Sequence, residues 1–155
     1  MKIHILRHAK TNQESKSGKD FDRELLPKGE KQALEISKTL QNLNNCEVHC
    51  SSSTRTRQTL SIVAQKINFS SIHFSDELYL CSSKDILNYV NDLSSKSELL
   101  ILGHNNGLSD FASYLSDKNI NLQTAGYCCI ECDIKDWSEL SFGTGKIIQE
   151  FRPEV

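Results

Sequence analysis

A chain of 155 residues with 37% hydrophobic and 25% charged side chains is long enough for one domain that buries about two-thirds of its unfolded surface, and too apolar to be intrinsically disordered. A formal net charge of −2 gives no extended positive field, which excludes nucleic acids and anionic membranes as partners held by general electrostatics. Few apolar residues precede Arg7 and nowhere do roughly eighteen run together, so neither a secretion signal nor a membrane span is expected and the expected location is the cytosol.

The chain opens on "KIHIL", an apolar, β-branched run that predicts a strand, and continues from Arg7 into a long polar loop rich in Ser and Lys. Pro27 suits a first helical turn, and Ala33, Ile36, Leu40 and Leu43 recur at three- and four-residue steps, which predicts an amphipathic helix from Pro27 to Leu43. "CEVHC" predicts a second strand. In "SSSTRTRQTLSIVAQKI" hydroxyl residues offer an N-cap, and Leu60, Val63, Ala64 and Ile67 form a helical stripe. "SIHFS" is a third, short strand, and "SKDILNYVNDL" is helical by Ile86, Leu87, Val90 and Leu93. "ELLILGH" has the continuous apolar run of a buried parallel strand, and "GLSDFASYLSD" is helical again. The tail "YCCIECDIKDWSELSFGTGKIIQEF" holds two extended stretches around a Gly-containing turn. The expected fold is a single α/β domain over 1–155, with a three-layer α/β/α architecture, a mostly parallel central sheet and a C-terminal antiparallel hairpin.

Six cysteines, Cys46, Cys50, Cys81, Cys128, Cys129 and Cys132, are expected as reduced, mostly buried thiols. Cys129 and Cys132 have C-x-x-C spacing, but three positions apart on a strand face opposite sides, and no second Cys/His pair follows to complete a metal site.

Ligands of open α/β sheets bind beyond the carboxyl ends of the strands. Those ends deliver Arg7-His8 after the first strand, Arg55 and Arg57 after the second, and His104 after "LLILG". Arginine donates paired hydrogen bonds to phosphate oxygens, and a neutral imidazole nitrogen can attack phosphorus. Helix N-termini after "SSST" and "GHNN" add backbone N–H groups. This chemistry needs no metal or other cofactor. Arg57 is expected to face solvent or pair with an acid.

With these motifs the chain resembles the histidine phosphatase superfamily, which contains the phosphoglycerate mutases, and within it the short SixA-like phosphohistidine phosphatases. "LRHAK" resembles the family's "LxRHG", "SSSTRTRQT" its "SSxxxRxxQT" and "GHNNGL" the "GHNPGL" of SixA-like members. "DFDRELLPKGEKQA" and the C-terminal hairpin with its Trp are similar to that branch as well. The resemblance implies a phosphoglycerate mutase-like fold and His8 as a transiently phosphorylated nucleophile. It implies that Arg7, Arg55 and a protonated His104 bind the phosphoryl group, with Asn105 assisting. His8 would be neutral and oriented through its second nitrogen by a backbone carbonyl.

Two departures stand out. Asn106 replaces a usual proline, which alters loop stiffness more than chemistry. The carboxylic acid that commonly follows the third strand is missing, because "DELYLCSS" puts Leu80 at its place. Glu77, with Asp76 beside it, and Asp22 are the substitute acids within reach in sequence. A missing acid penalises an alkyl phosphate more than a labile phosphoramidate. The resulting expectation is a metal-independent phosphohydrolase acting on a phosphorylated substrate, in first place a phosphohistidine protein. A phosphatase for a small phosphorylated metabolite, or a non-catalytic phosphate- or phosphoprotein-binding module, are the alternatives. Oligomeric state has no signature in the sequence.

Overall fold

The computed structural model describes residues 1–154. Strand and helix alternate from the start: β1 (Lys2–Arg7), α1 (Pro27–Leu40), β2 (Cys46–Ser51), α2 (Thr54–Val63), β3 (Ser71–Ser75), α3 (Ser83–Asn91), β4 (Glu98–Gly103) and α4 (Gly107–Ser116). Alternation then gives way to two successive strands, β5 (Tyr127–Cys132) and β6 (Gly145–Phe151). The six strands form one sheet in the order β3-β2-β4-β1-β5-β6. Its first four strands are mutually parallel, while β5 runs antiparallel to both β1 and β6. This is the expected α/β architecture with its terminal hairpin.

The sheet is buried on both faces because each central strand splits its apolar residues between them. Ile3 and Ile5 of β1 and Leu99 and Ile101 of β4 pack with Ile86 and Val90 of α3 and Phe111 and Leu115 of α4. Leu6, Val48, Leu100 and Leu102 turn the other way, onto Ile36 and Leu40 of α1 and Leu60 and Val63 of α2. Each wholly buried side chain in the "LLIL" run contributes roughly 1.5–3 kcal/mol, which makes β4 the central element of both cores. The same alternation separates the cysteines, since Cys128 and Cys132 join the α3/α4 core and Cys129 the α1/α2 core. All six thiols are free, and burial pushes those of Cys129 and Cys132 up to about 11.

Apolar stripes outlast the α-helices that carry them. α1 stops at Leu40, and Leu43 is reached through a tighter turn in which its N–H donates to Leu40 O at 2.9 Å. α2 passes at Ala64 into a 3-10 turn ending at Lys66, and this turn brings Ile67 back onto the core. The periodicity of the sequence therefore reads through the helix ends. Among the described residues, no helix is long and apolar enough to cross a membrane.

Candidate active site

Neighbouring central strands bring the two histidines together. β1 and β4 pair with Arg7 opposite Gly103, and the His8 N–H continues the ladder to Gly103 O at 3.1 Å. The residues one step beyond each strand, His8 and His104, consequently face each other with ring centroids 5.3 Å apart and planes at 55°. β2 flanks β4 on the opposite side, and its successor α2 presents Arg55 from its first turn. Arg7, His8, Arg55, His104 and Asn105 line one cavity of about 290 Å³, shared with Lys10, Thr11, Gln13, Asp20, Arg23, Leu80 and Thr124.

Two glycines let the surrounding segments close in. A Cβ on Gly29 of α1 would lie 2.0 Å from Lys10 O, and one on Gly107 would lie 2.2 Å from Cys81 O. Neither backbone has room for a side chain, so α1 and α4 press directly on the segments after His8 and Leu80.

His8 is almost wholly buried, and its Nδ1 lies 2.8 Å from Ala9 O. A carbonyl oxygen only accepts, so Nδ1 carries the hydrogen and Nε2 keeps its lone pair. Burial, followed by the charges of Arg55, Arg7 and Arg23, pushes the His8 pKa down to about 3 against the pull of the Ala9 carbonyl. His104 is pushed to about 3 as well, by burial first and then by His8 and Arg55. The resemblance implied a protonated His104 on the phosphoryl group; in the cavity itself, burial and the neighbouring arginines favour the neutral ring, because a cation there loses its hydration. Ser51 Oγ lies 2.8 Å from its Nε2, while Nδ1 is buried with no hydrogen-bond partner among the described residues.

These depressed values have a consequence for stability. The unfolded chain protonates both imidazoles near pH 6.5, the folded chain only near pH 3, so below 6.5 the unfolded state binds more protons. Stability is expected to fall on acidification from about pH 6.5 to about pH 3, with a slope of up to roughly 1.4 kcal/mol per pH unit for each histidine. Urea melts at stepped pH check this, and His104→Gln should flatten the slope.

The arginines are fixed by backbone. Arg7 Nη1 donates to Leu122 O at 3.0 Å, and Asn105 Nδ2 donates to the same oxygen at 2.9 Å. Ser109 Oγ donates to Asn105 Oδ1 at 2.8 Å and holds the amide in place. Arg55, only 2% exposed, directs both terminal nitrogens at Asp20, donating to its carbonyl at 2.8 Å and to its Oδ2 at 2.9 Å. The loop after His8 thus folds back over the cavity.

Asp20 was not among the residues the sequence singled out, nor was Tyr79. The Tyr79 hydroxyl donates to Asp20 Oδ2 at 2.5 Å and Arg23 to Oδ1 at 2.9 Å, while the Tyr79 ring stands edge-on to His104 at 5.4 Å. Burial alone would raise the Asp20 pKa, but the hydrogen bonds from Tyr79, Arg23 and Arg55 outweigh it and hold the carboxyl well below the ordinary range. Asp20 is therefore a carboxylate, an anion resting on the arginine that faces the cavity. Asp20→Asn is expected to tighten inhibition by inorganic phosphate several-fold through loss of that charge; inhibition constants for the two proteins check it.

The acids named from sequence lie elsewhere. Asp22 accepts from Ser17 Oγ at 2.6 Å in the exposed loop. Glu77 borders a separate cleft with Asp85, Asn88, Tyr89 and Asp92, with Asp76 beside it in the same 3-10 turn. Neither Asp22 nor Glu77 lines the cavity of the histidines, whereas Leu80 does. Arg57 stacks on Phe74, 3.9 Å from the ring centroid, and donates to Ser52 O.

Residues 3–79 match the family model described as the histidine phosphatase superfamily, branch 1. An uncharacterized chloroplastic protein of Arabidopsis thaliana is 30% identical over 148 residues, covering 87% of this chain and 68% of the relative. Among solved structures, one provisionally named phosphohistidine phosphatase SixA from Nakamurella multipartitia superposes with a TM-score of 0.86 at 21% identity, covering 99% of this chain and 96% of that one. The protein histidine phosphatase SixA complexed with tungstate gives 0.80 at 21% identity, over 97% and 96% of the two chains. The matched segment runs from the strand before Arg7 and His8 through Arg55 to Tyr79, and on this ground the chain belongs to the histidine phosphatase superfamily and is an enzyme of that class.

Proposed function

We propose that the chain is a phosphohistidine phosphatase working through a phospho-His8 intermediate, and that Arg7, Arg55, His104 and Asn105 bind the phosphoryl group. The observation that carries this reading is the absence of a usable acid. Among the described residues, Asp20 is the one carboxylic side chain lining the cavity, and three donors keep it ionised. A leaving alkoxide would have to depart without a proton, which costs about 10²–10⁴ in rate. A phosphohistidine leaves as imidazole, whose ring accepts a proton from solvent before the P–N bond breaks. The likeness to a SixA protein complexed with tungstate, an oxyanion, supports an anion-binding role for this chain.

In the first step the Nε2 lone pair of His8 forms a bond to phosphorus while the P–N bond of the substrate ring, protonated on its other nitrogen, breaks and its electron pair returns to the ring, releasing neutral imidazole. Arg7 and Arg55 neutralise the charge spread over the equatorial oxygens, and the neutral His104 adds a hydrogen bond. Charge stabilisation comes from side chains throughout, so the cycle runs without a metal. Water then attacks phospho-His8, phosphate leaves, and His8 regains its lone pair. Asp20 must yield Arg55 for a phosphoryl group to use the full guanidinium fork. A second cavity of about 390 Å³ shares Gln13, Asp20 and Arg23 with the first, giving the site an open flank toward a protein-borne substrate.

The test is a substrate panel under EDTA: a phosphohistidine protein, sugar and nucleotide phosphates, and p-nitrophenyl phosphate. The reading holds if the phosphohistidine protein is hydrolysed with the highest kcat/KM. A higher value for a small metabolite would assign the site to that metabolite instead, and binding with no turnover would make it a recognition module.

A further inference from the structure

Away from the phosphoryl cavity, one polar cluster interrupts the edge of the sheet. β2 and β3 pair with His49 opposite His73, and because residues two apart share a strand face, Glu47 projects on the same side as His49. The two imidazole rings stack, with centroids 4.9 Å apart and planes 17° from parallel. Both rings turn Nε2 toward one carboxylate oxygen: Glu47 Oε1 is 2.8 Å from His49 Nε2 and 3.5 Å from His73 Nε2. The three donor atoms all lie within 4.8 Å of one another.

We propose that Glu47, His49 and His73 form a binding site for a divalent transition-metal ion of the zinc class, separate from the phosphoryl cavity and unused by its reaction. Two imidazole nitrogens and one carboxylate oxygen are a donor set that suits zinc, and water completes a tetrahedron. An ion bonded at about 2.0–2.2 Å holds its ligands roughly 3.3–3.5 Å apart. The Glu47–His73 spacing already matches, and the Glu47–His49 pair has to open slightly. His73 stands exposed on the edge strand, free to make the remaining adjustment and to leave its 3.1 Å contact with Ser71 Oγ.

The surroundings match what a metal-bound imidazole requires. His49 is buried, and its other nitrogen, Nδ1, lies 2.8 Å from Tyr89 Oη. With Nδ1–H donating to that oxygen, the ring presents the Nε2 lone pair outward, the arrangement by which a second hydrogen bond orients a metal ligand. The Ser95 side chain hydrogen-bonds Glu47 and fixes the third donor. An ion here ties edge strand β3 to β2, two residues upstream of Ser51, whose hydroxyl contacts His104.

Calorimetric titration of the chelator-treated full chain with zinc chloride is expected to show one ion per chain, with His73→Ala and Glu47→Gln each weakening it at least tenfold. Neither residue touches the phosphoryl cavity, so turnover in EDTA verifies that both variants are folded. Cobalt(II) in place of zinc should give a tetrahedral spectrum without the charge-transfer band of thiolate ligation, which distinguishes this site from the six cysteines. No binding by the parent chain, equal binding by the variants, or a thiolate band would overturn the proposal and leave the cluster a set of hydrogen-bonded side chains.

Discussion

His8→Ala is expected to lower turnover of any phosphorylated substrate by at least about 10³-fold and to abolish acid-labile labelling of the protein. The size of the effect follows from how completely the fold commits that ring. It is buried, neutral, and held through Nδ1 by Ala9 O, so Nε2 stands ready as a nucleophile with no proton to lose. Water is the only other attacking group and gains no comparable positioning. The variant retains Arg7 and Arg55, so inorganic phosphate should still bind within about tenfold of the parent affinity, since only an uncharged contact is removed. Loss of turnover with retained binding separates a missing nucleophile from a collapsed site. Full turnover by the alanine variant would sink the mechanism.

Arg55→Ala is expected to reduce kcat/KM by about 10²–10³, the usual cost of deleting one preorganised donor to developing charge. Arg55→Lys should recover little of it, because an ammonium cannot reproduce two parallel hydrogen bonds. Both substitutions also remove the donors that hold Asp20 at 2.8 and 2.9 Å. The loop carrying Asp20 should therefore become more susceptible to cleavage at Lys19, which limited proteolysis can follow. A lysine variant as active as the parent would mean that Arg55 acts only as a point charge.

Most of the scaffold was legible because hydrophobic pattern and strand burial coincide. The run "LLIL" announced a strand covered on both faces, and β4 proved central to both cores. Arg7, His8, Arg55 and His104 were legible because each sits within two or so residues of a strand end or helix start, where local order alone brings it to the sheet's carboxyl edge. Asp20 and Tyr79 were not. Their roles depend on contacts spanning 35 and 59 residues, formed when a polar loop without periodicity folds back onto Arg55. The downward pull on the His104 pKa was not legible for a related reason: it depends on the summed burial and neighbouring cations of a folded cavity. Leu80 was read at the right place, and the structure adds that its backbone is left-handed, at φ 47°.

The central position of β1 and β4 divides the site into two parts that are anchored differently. His8 and His104 directly follow the two central strands, and the hydrogen bond from His8 N–H to Gly103 O ties that edge together, so they are positioned by the core. Asp20, Arg23, Tyr79 and Leu80 belong to the connecting segments. Exchanging the surface segments can therefore change what the pocket admits without displacing the pair of histidines: reaction and substrate range are encoded on separable stretches of chain.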